Sequence, residues 1–100
     1  MTACCLFALT APPSLEEPIL DWLLRTKPQL GFSSYCLHGH SSRIEGLTLA
    51  EQVSGRKQQV RFEMYLPEGE VATLIEDLKA SFAGAGLHYW VIPLREAGRV

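Results

Sequence analysis

Apolar residues recur along this chain with two different periods, and each change of period marks the edge of an element. Cys4-Cys5-Leu6-Phe7-Ala8-Leu9-Thr10 is continuously apolar up to Pro12-Pro13, the pattern of a central strand covered on both faces. Ser14 stands three residues before Glu17, giving a capping-box signature. Pro18 falls in the first turn that follows, where its missing N–H costs little. Leu15, Ile19, Trp22, Leu23 and Thr26 keep helical spacing and form one apolar stripe. Lys27-Pro28 predicts the stop, because a residue before proline avoids the helical region.

A second strand is predicted over residues 31–40. Phe32, Ser34, Cys36, His38 and His40 share one face and Ser33, Tyr35 and Leu37 the other, so its buried face is ambiguous. The third strand alternates more clearly: Val60, Phe62, Met64 and Leu66 against Gln59, Arg61, Glu63 and Tyr65, one face core and the other polar or interfacial. After a turn at Pro67-Glu68-Gly69, the residues Val71, Leu74, Ile75, Leu78 and Phe82 mark a second amphipathic helix, with acidic residues near its start where the dipole favours them. Ala83-Gly84-Ala85-Gly86 ends that helix. Residues 87–94 read as a last strand apolar on both faces, Leu87, Tyr89 and Val91 opposite His88, Trp90 and Ile92, and 96–100 as a loose tail.

The order is βαββαβ, which predicts an α+β, ferredoxin-like fold: a four-stranded antiparallel sheet with two helices on one face. Its other face is left bare. That face would carry Trp90, Ile92 and further apolar residues, too much apolar surface to leave in water, so self-association through it is expected.

Composition narrows the function classes. With 100 residues, the chain is expected to form one domain over 1–100. A net charge of −2 argues against a nucleic-acid binder, which normally carries a basic excess, although it allows a local basic patch. The adjacent Cys4 and Cys5 point to opposite sides of a strand, so they and Cys36 make no disulfide framework and suit reduced thiols in a cytoplasm. Their apolar strand should raise their thiol pKa values, and no C-x-x-C is present for redox chemistry. The run from Cys4 to Ala11 has no basic segment before it and leads into a helix, so it reads as a strand rather than a signal peptide. No apolar run approaches the roughly 18 residues that would suggest a membrane span.

The candidate chemistry gathers at a long polar connection, residues 41–58. An idle loop of that length adds closure entropy without adding core, so a functional one is expected. At its base, His38-x-His40 places two imidazoles on one strand face with Cα atoms about 6.5 Å apart, close enough to share a metal ion. Cys36 lies two residues further back and needs a bend to join them; Glu45, His88, Cys4 or a partner subunit could complete a tetrahedral site for zinc or a softer one for copper. Gly39 between the histidines permits a close approach or a bulge. The alternative is a buried Cys36 thiol with histidines hydrogen-bonded at the sheet margin. Arg43, Arg56, Lys57 and Arg61 could hold an anion or an acidic partner at the loop base, against the ordinary reading of a solvated charged loop mixed with Glu45 and Glu51. Ser54-Gly55-Arg56 is not a phosphate-binding P-loop. Glu16, Glu17 and Asp21 have a capping or dipole role, and no nucleophile–base pair is placed in a cleft, so an enzyme is not expected.

Within this order the chain resembles PII-like signalling proteins, and in particular an uncharacterised PII-like family often encoded beside heavy-metal efflux pumps. The resemblance rests on the helix Leu15-Glu16-Glu17-Pro18-Ile19-Leu20-Asp21-Trp22-Leu23-Leu24, the strand ending Gly39-His40, the segment Glu51-Gln52-Val53-Ser54-Gly55-Arg56, and residues 84–91. It implies a homotrimer with its sheets turned inward, ligand sites in clefts between subunits, and loop 41–58 contacting a regulated partner such as a metal-efflux transporter. Residues 83–86 would match the loop that cradles phosphate in nucleotide-binding PII proteins. Those proteins carry a basic residue just after that turn, whereas this chain has none between Lys79 and Arg95. The expectation is therefore a cytoplasmic regulatory protein sensing a small ligand, with a transition-metal ion (zinc, copper, nickel or cobalt) at His38, His40 and Cys36. The alternatives are an adenine-nucleotide sensor using Arg56, Lys57, Arg61, Gly84 and Gly86, and a ligand-free interaction module.

Overall fold

The computed structural model describes residues 3–26, 31–40 and 56–100. The helix stop at Lys27-Pro28, most of the 41–58 connection with Arg43 and Glu45, and all but the last residue of the 51–56 segment lie outside the described residues.

Strand β1 (Cys4–Ala11) leads through a 3-10 turn (Pro13–Leu15) into helix α1 (Glu16–Thr26). Strands β2 (Ser33–His40) and β3 (Arg56–Pro67) follow, then a second 3-10 turn (Glu68–Glu70), helix α2 (Val71–Phe82) and strand β4 (His88–Leu94). The four strands form one antiparallel sheet in the order β2-β3-β1-β4, the expected ferredoxin-like α+β architecture. Among the described residues, no helix is long and apolar enough to cross a membrane.

The strand period assigns the two faces. Odd positions of β1 (Cys5, Phe7, Leu9, Ala11) lie across from even positions of β3 (Leu66, Met64, Phe62, Val60), and all eight are buried. Most pack beneath Ile19, Trp22 and Leu23 of α1 and Leu74 and Leu78 of α2, so this is the helix-covered face. Fully burying one such large apolar side chain stabilises the fold by about 1.5–3 kcal/mol. Aromatic edges complete the packing, with Trp22 T-shaped against Phe82 at 5.7 Å and Phe32 tilted on Phe62 at 6.3 Å between ring centroids.

Two local expectations change. Ser14 lies inside the 3-10 turn rather than at its N-cap, which is Pro12 without a side-chain cap, and backbone closes the turn as Leu15 N–H donates to the Pro12 carbonyl at 3.0 Å. The acidic residues Glu68 and Glu70 belong to the turn before α2, not to its first turn.

The larger difference is at the loop base. Arg56, Lys57 and Gln58 are strand rather than loop, since His40 pairs with Arg56, Gly39 with Lys57 and His38 with Gln58. These polar residues have no apolar alternation to announce a strand; cross-strand backbone pairing holds them. The β1–β3 ladder ends at Ala11↔Val60, so beyond that pair β2 and β3 continue as a two-stranded arm.

Candidate functional site

The arm presents the predicted metal ligands. Cys36, His38 and His40 lie across from Val60, Gln58 and Arg56, which places all three on the helix-covered side of the sheet, although each is exposed. The reading of Cys36 as a buried thiol is therefore corrected: β2 is an edge strand and its thiol meets solvent. Cys4 and His88 sit on the opposite face, because Cys4 belongs to the even positions of β1 and His88 pairs with Thr10. Neither can join the histidines within one chain. Among the described residues, no three or more His, Cys, Asp or Glu side chains are grouped to hold a metal ion. Gly39 makes the close approach its position suggested, since a Cβ there would run into the side-chain amide of Gln59.

The basic candidates separate. Arg56 shares the face of the histidines, while Lys57 and Arg61 point to the open face of the sheet. Arg61 is tied into a network there. Its Nε donates to Thr10 Oγ1 at 3.0 Å and its Nη1 to Tyr35 Oη at 3.5 Å, and the Tyr35 hydroxyl donates to Glu63 Oε1 at 2.6 Å. The guanidinium lies 4.6 Å from the centre of the Trp90 ring and 5.9 Å from that of Tyr35, within the range of cation–π attraction. It lies against Thr10, which is 4% exposed on a face no helix covers. Tyr35, Tyr65, Trp90 and Ile92 remain exposed around it. Sequence reasoning missed this network, whose members are 26 to 51 residues apart; its one signal was the polar alternation of Arg61 and Glu63 in β3.

At the same end of the sheet as the arm, Gly84 and Gly86 have φ of +79° and +78°, the left-handed region that glycine adopts without penalty. Ala85 N–H donates to the Phe82 carbonyl at 3.1 Å, closing α2. Beside this turn is a cleft of about 210 Å³ whose lining includes Lys79, Phe82, Gly84, Gly86 and Tyr89. Lys79 of the preceding helix thus lines the cleft beside the glycine turn, a position unlike the one after Gly86 where sequence reasoning looked for a cation. Cys5, by contrast, is a core thiol. Burial pushes its pKa above the ordinary 9.0, with the Glu68 carboxylate and the neighbouring Cys4 adding to the rise.

A family model described as a protein of unknown function, DUF3240, matches residues 1–100. The chain belongs to the DUF3240 family. It is similar to a crystal structure of a DUF3240 protein from Shewanella baltica, at 23% identity and a TM-score of 0.78 over 100% of this chain and 99% of that one. It is also similar to CPII, a nitrogen regulatory PII-like protein from Thiomonas intermedia solved with ADP, AMP and bicarbonate, at 16% identity and a TM-score of 0.71 over 98% and 97% of the two chains. The PII protein of Arabidopsis thaliana bound to citrate follows at 11% identity and 0.67, over 93% and 78%. No curated protein matches the chain. At these identities the likeness shows a shared PII-like fold for this DUF3240 chain.

Proposed function

We propose that this DUF3240 chain is a PII-like regulatory protein that binds a transition-metal ion at His38 and His40 and signals through the connection that follows. The carrying observation is that both imidazoles are exposed on one face of β2 at the end of the arm. They therefore stand immediately before residue 41, where an ion can bias the conformation of the segment it precedes. Cys36, one pair further back on the same face, is the soft donor available for copper. The open face supports a homotrimer, because Trp90, Ile92, Tyr65 and Tyr35 leave it more apolar than an isolated surface favours. A metal-efflux transporter is the partner this reading proposes, and the cytoplasm the compartment. Isothermal titration with zinc, copper, nickel and cobalt tests the site: uptake is expected in the native chain and lost in the His38→Ala/His40→Ala double variant. Unchanged uptake in that variant would sink the assignment.

One observation favours a second reading, an adenine-nucleotide sensor. Lys79 lines the cleft beside Gly84 and Gly86, where it could pair with phosphate held by backbone N–H groups, and CPII was solved with ADP and AMP. A thermal-shift screen with ATP, ADP and AMP separates the two: a nucleotide-dependent rise in Tm abolished by Lys79→Ala supports the second.

A further inference from the structure

We propose that the tip of β2 is half of a divalent metal site, and that the same strand of a second copy of this chain supplies the other half. The inference rests on the metal-sensing reading above and names how its ligand set is filled. His38 and His40 flank Gly39 and share one exposed face. At Gly39 the strand has already passed the last β1–β3 pair, Ala11↔Val60, and β2 is an edge of the sheet. Among the described residues, β3 is the only strand paired with it there, which leaves its outer edge open to another strand.

Two imidazoles are half of what a four-coordinate ion takes. Cys4 and His88 lie on the other face of the sheet, and no three His, Cys, Asp or Glu side chains are grouped among the described residues, so these residues of one chain leave the ligand set incomplete. Antiparallel pairing of two β2 strands about a two-fold axis at Gly39 puts His38 of one protomer across from His40 of its partner, and the reverse. The four Cα atoms then form a rectangle of about 6.5 by 5 Å on one surface. Such a contact is isologous and closes on itself as a dimer of whatever unit carries it. Four imidazoles rising from one plane suit tetragonal nitrogen coordination, the geometry of nickel(II) and copper(II), better than the tetrahedral preference of zinc. Cys36 falls outside the rectangle by one further pair.

The test is nickel(II) titration of the full chain, with stoichiometry by calorimetry and mass by light scattering. The expected result is one ion per two chains and a doubling of the metal-free mass. Both are lost in His38→Ala and in His40→Ala, and both are kept in His88→Ala, with circular dichroism checking that each variant is folded. One ion per chain at unchanged mass would overturn the shared site and leave metal sensing standing. No uptake of nickel or copper by the native chain would overturn the shared site, and no uptake of zinc or cobalt either would overturn metal sensing with it.

Discussion

The same two strands, β2 and β3, lead two different lives on either side of the Ala11↔Val60 pair. In the body of the sheet, Val60, Phe62, Met64 and Leu66 are all buried beneath the helices. In the arm, Arg56 and Gln58 continue the same face and are exposed, as are His38 and His40 across from them. The backbone pairing does not change at that boundary; what changes is that β1 and the helices are no longer there to cover it. Residues in the body are held to shape and volume, whereas those in the arm are held only to extended backbone, which leaves their chemistry open for binding.

Substitutions should therefore read out differently on the two sides. Phe62→Ala, in the buried core of the body, is expected to cost about 3–5 kcal/mol of stability, measured as a fall in the denaturant midpoint. Arg61→Ala opens the network on the uncovered face, removing the hydrogen bond to buried Thr10 and the stacking on Trp90. Its cost is expected at about 1–3 kcal/mol, with a change in oligomeric mass if that face is the assembly surface. Gly84→Ala should cost about 1–2 kcal/mol from backbone strain alone, because no atom stands within 4 Å of the added Cβ. The smallest effect belongs to the arm, where His38→Ala/His40→Ala should move stability by no more than about 0.5 kcal/mol while abolishing metal uptake. A large loss of stability from that double variant would break the contrast.

The pH dependence sharpens it further. The folded chain holds the Cys5 proton more tightly than the unfolded chain does, because burial raises its pKa above 9.0. Below about pH 9 this group leaves stability unchanged. As pH rises past the unfolded value, the unfolded chain loses the proton first and stability falls. Cys5→Ala should flatten that alkaline decline in denaturant midpoints.

The fold was readable because its elements announce themselves locally. The stripe Leu15, Ile19, Trp22 and Leu23 and the alternation from Val60 to Leu66 are periodic signals that burial later matches. The start of β3 was not readable, since Arg56-Lys57-Gln58 has no apolar period and is strand only because β2 is beside it. For the site, pattern placed His38 and His40 on one face, but only the register showed that Cys4 and His88 lie on the other. Arg61 was grouped with Arg56 by proximity in sequence, and strand alternation put their side chains on opposite sides. Lys79 lines one cleft with Gly84 and Gly86, a neighbourhood that linear spacing does not encode.

The inner position of β1 carries a consequence for how the chain comes to be folded. Cys4 is met by Pro67 on one side and by Leu94 on the other, so the most continuously apolar strand must wait for partners synthesised long after it. The helices and the β2–β3 pairing are local and can form early; closing β3 and then β4 around β1 brings together distant parts of the chain and sets the pace. Until then a ribbon of apolar side chains stands open, and this is the stretch a chaperone would have to shield.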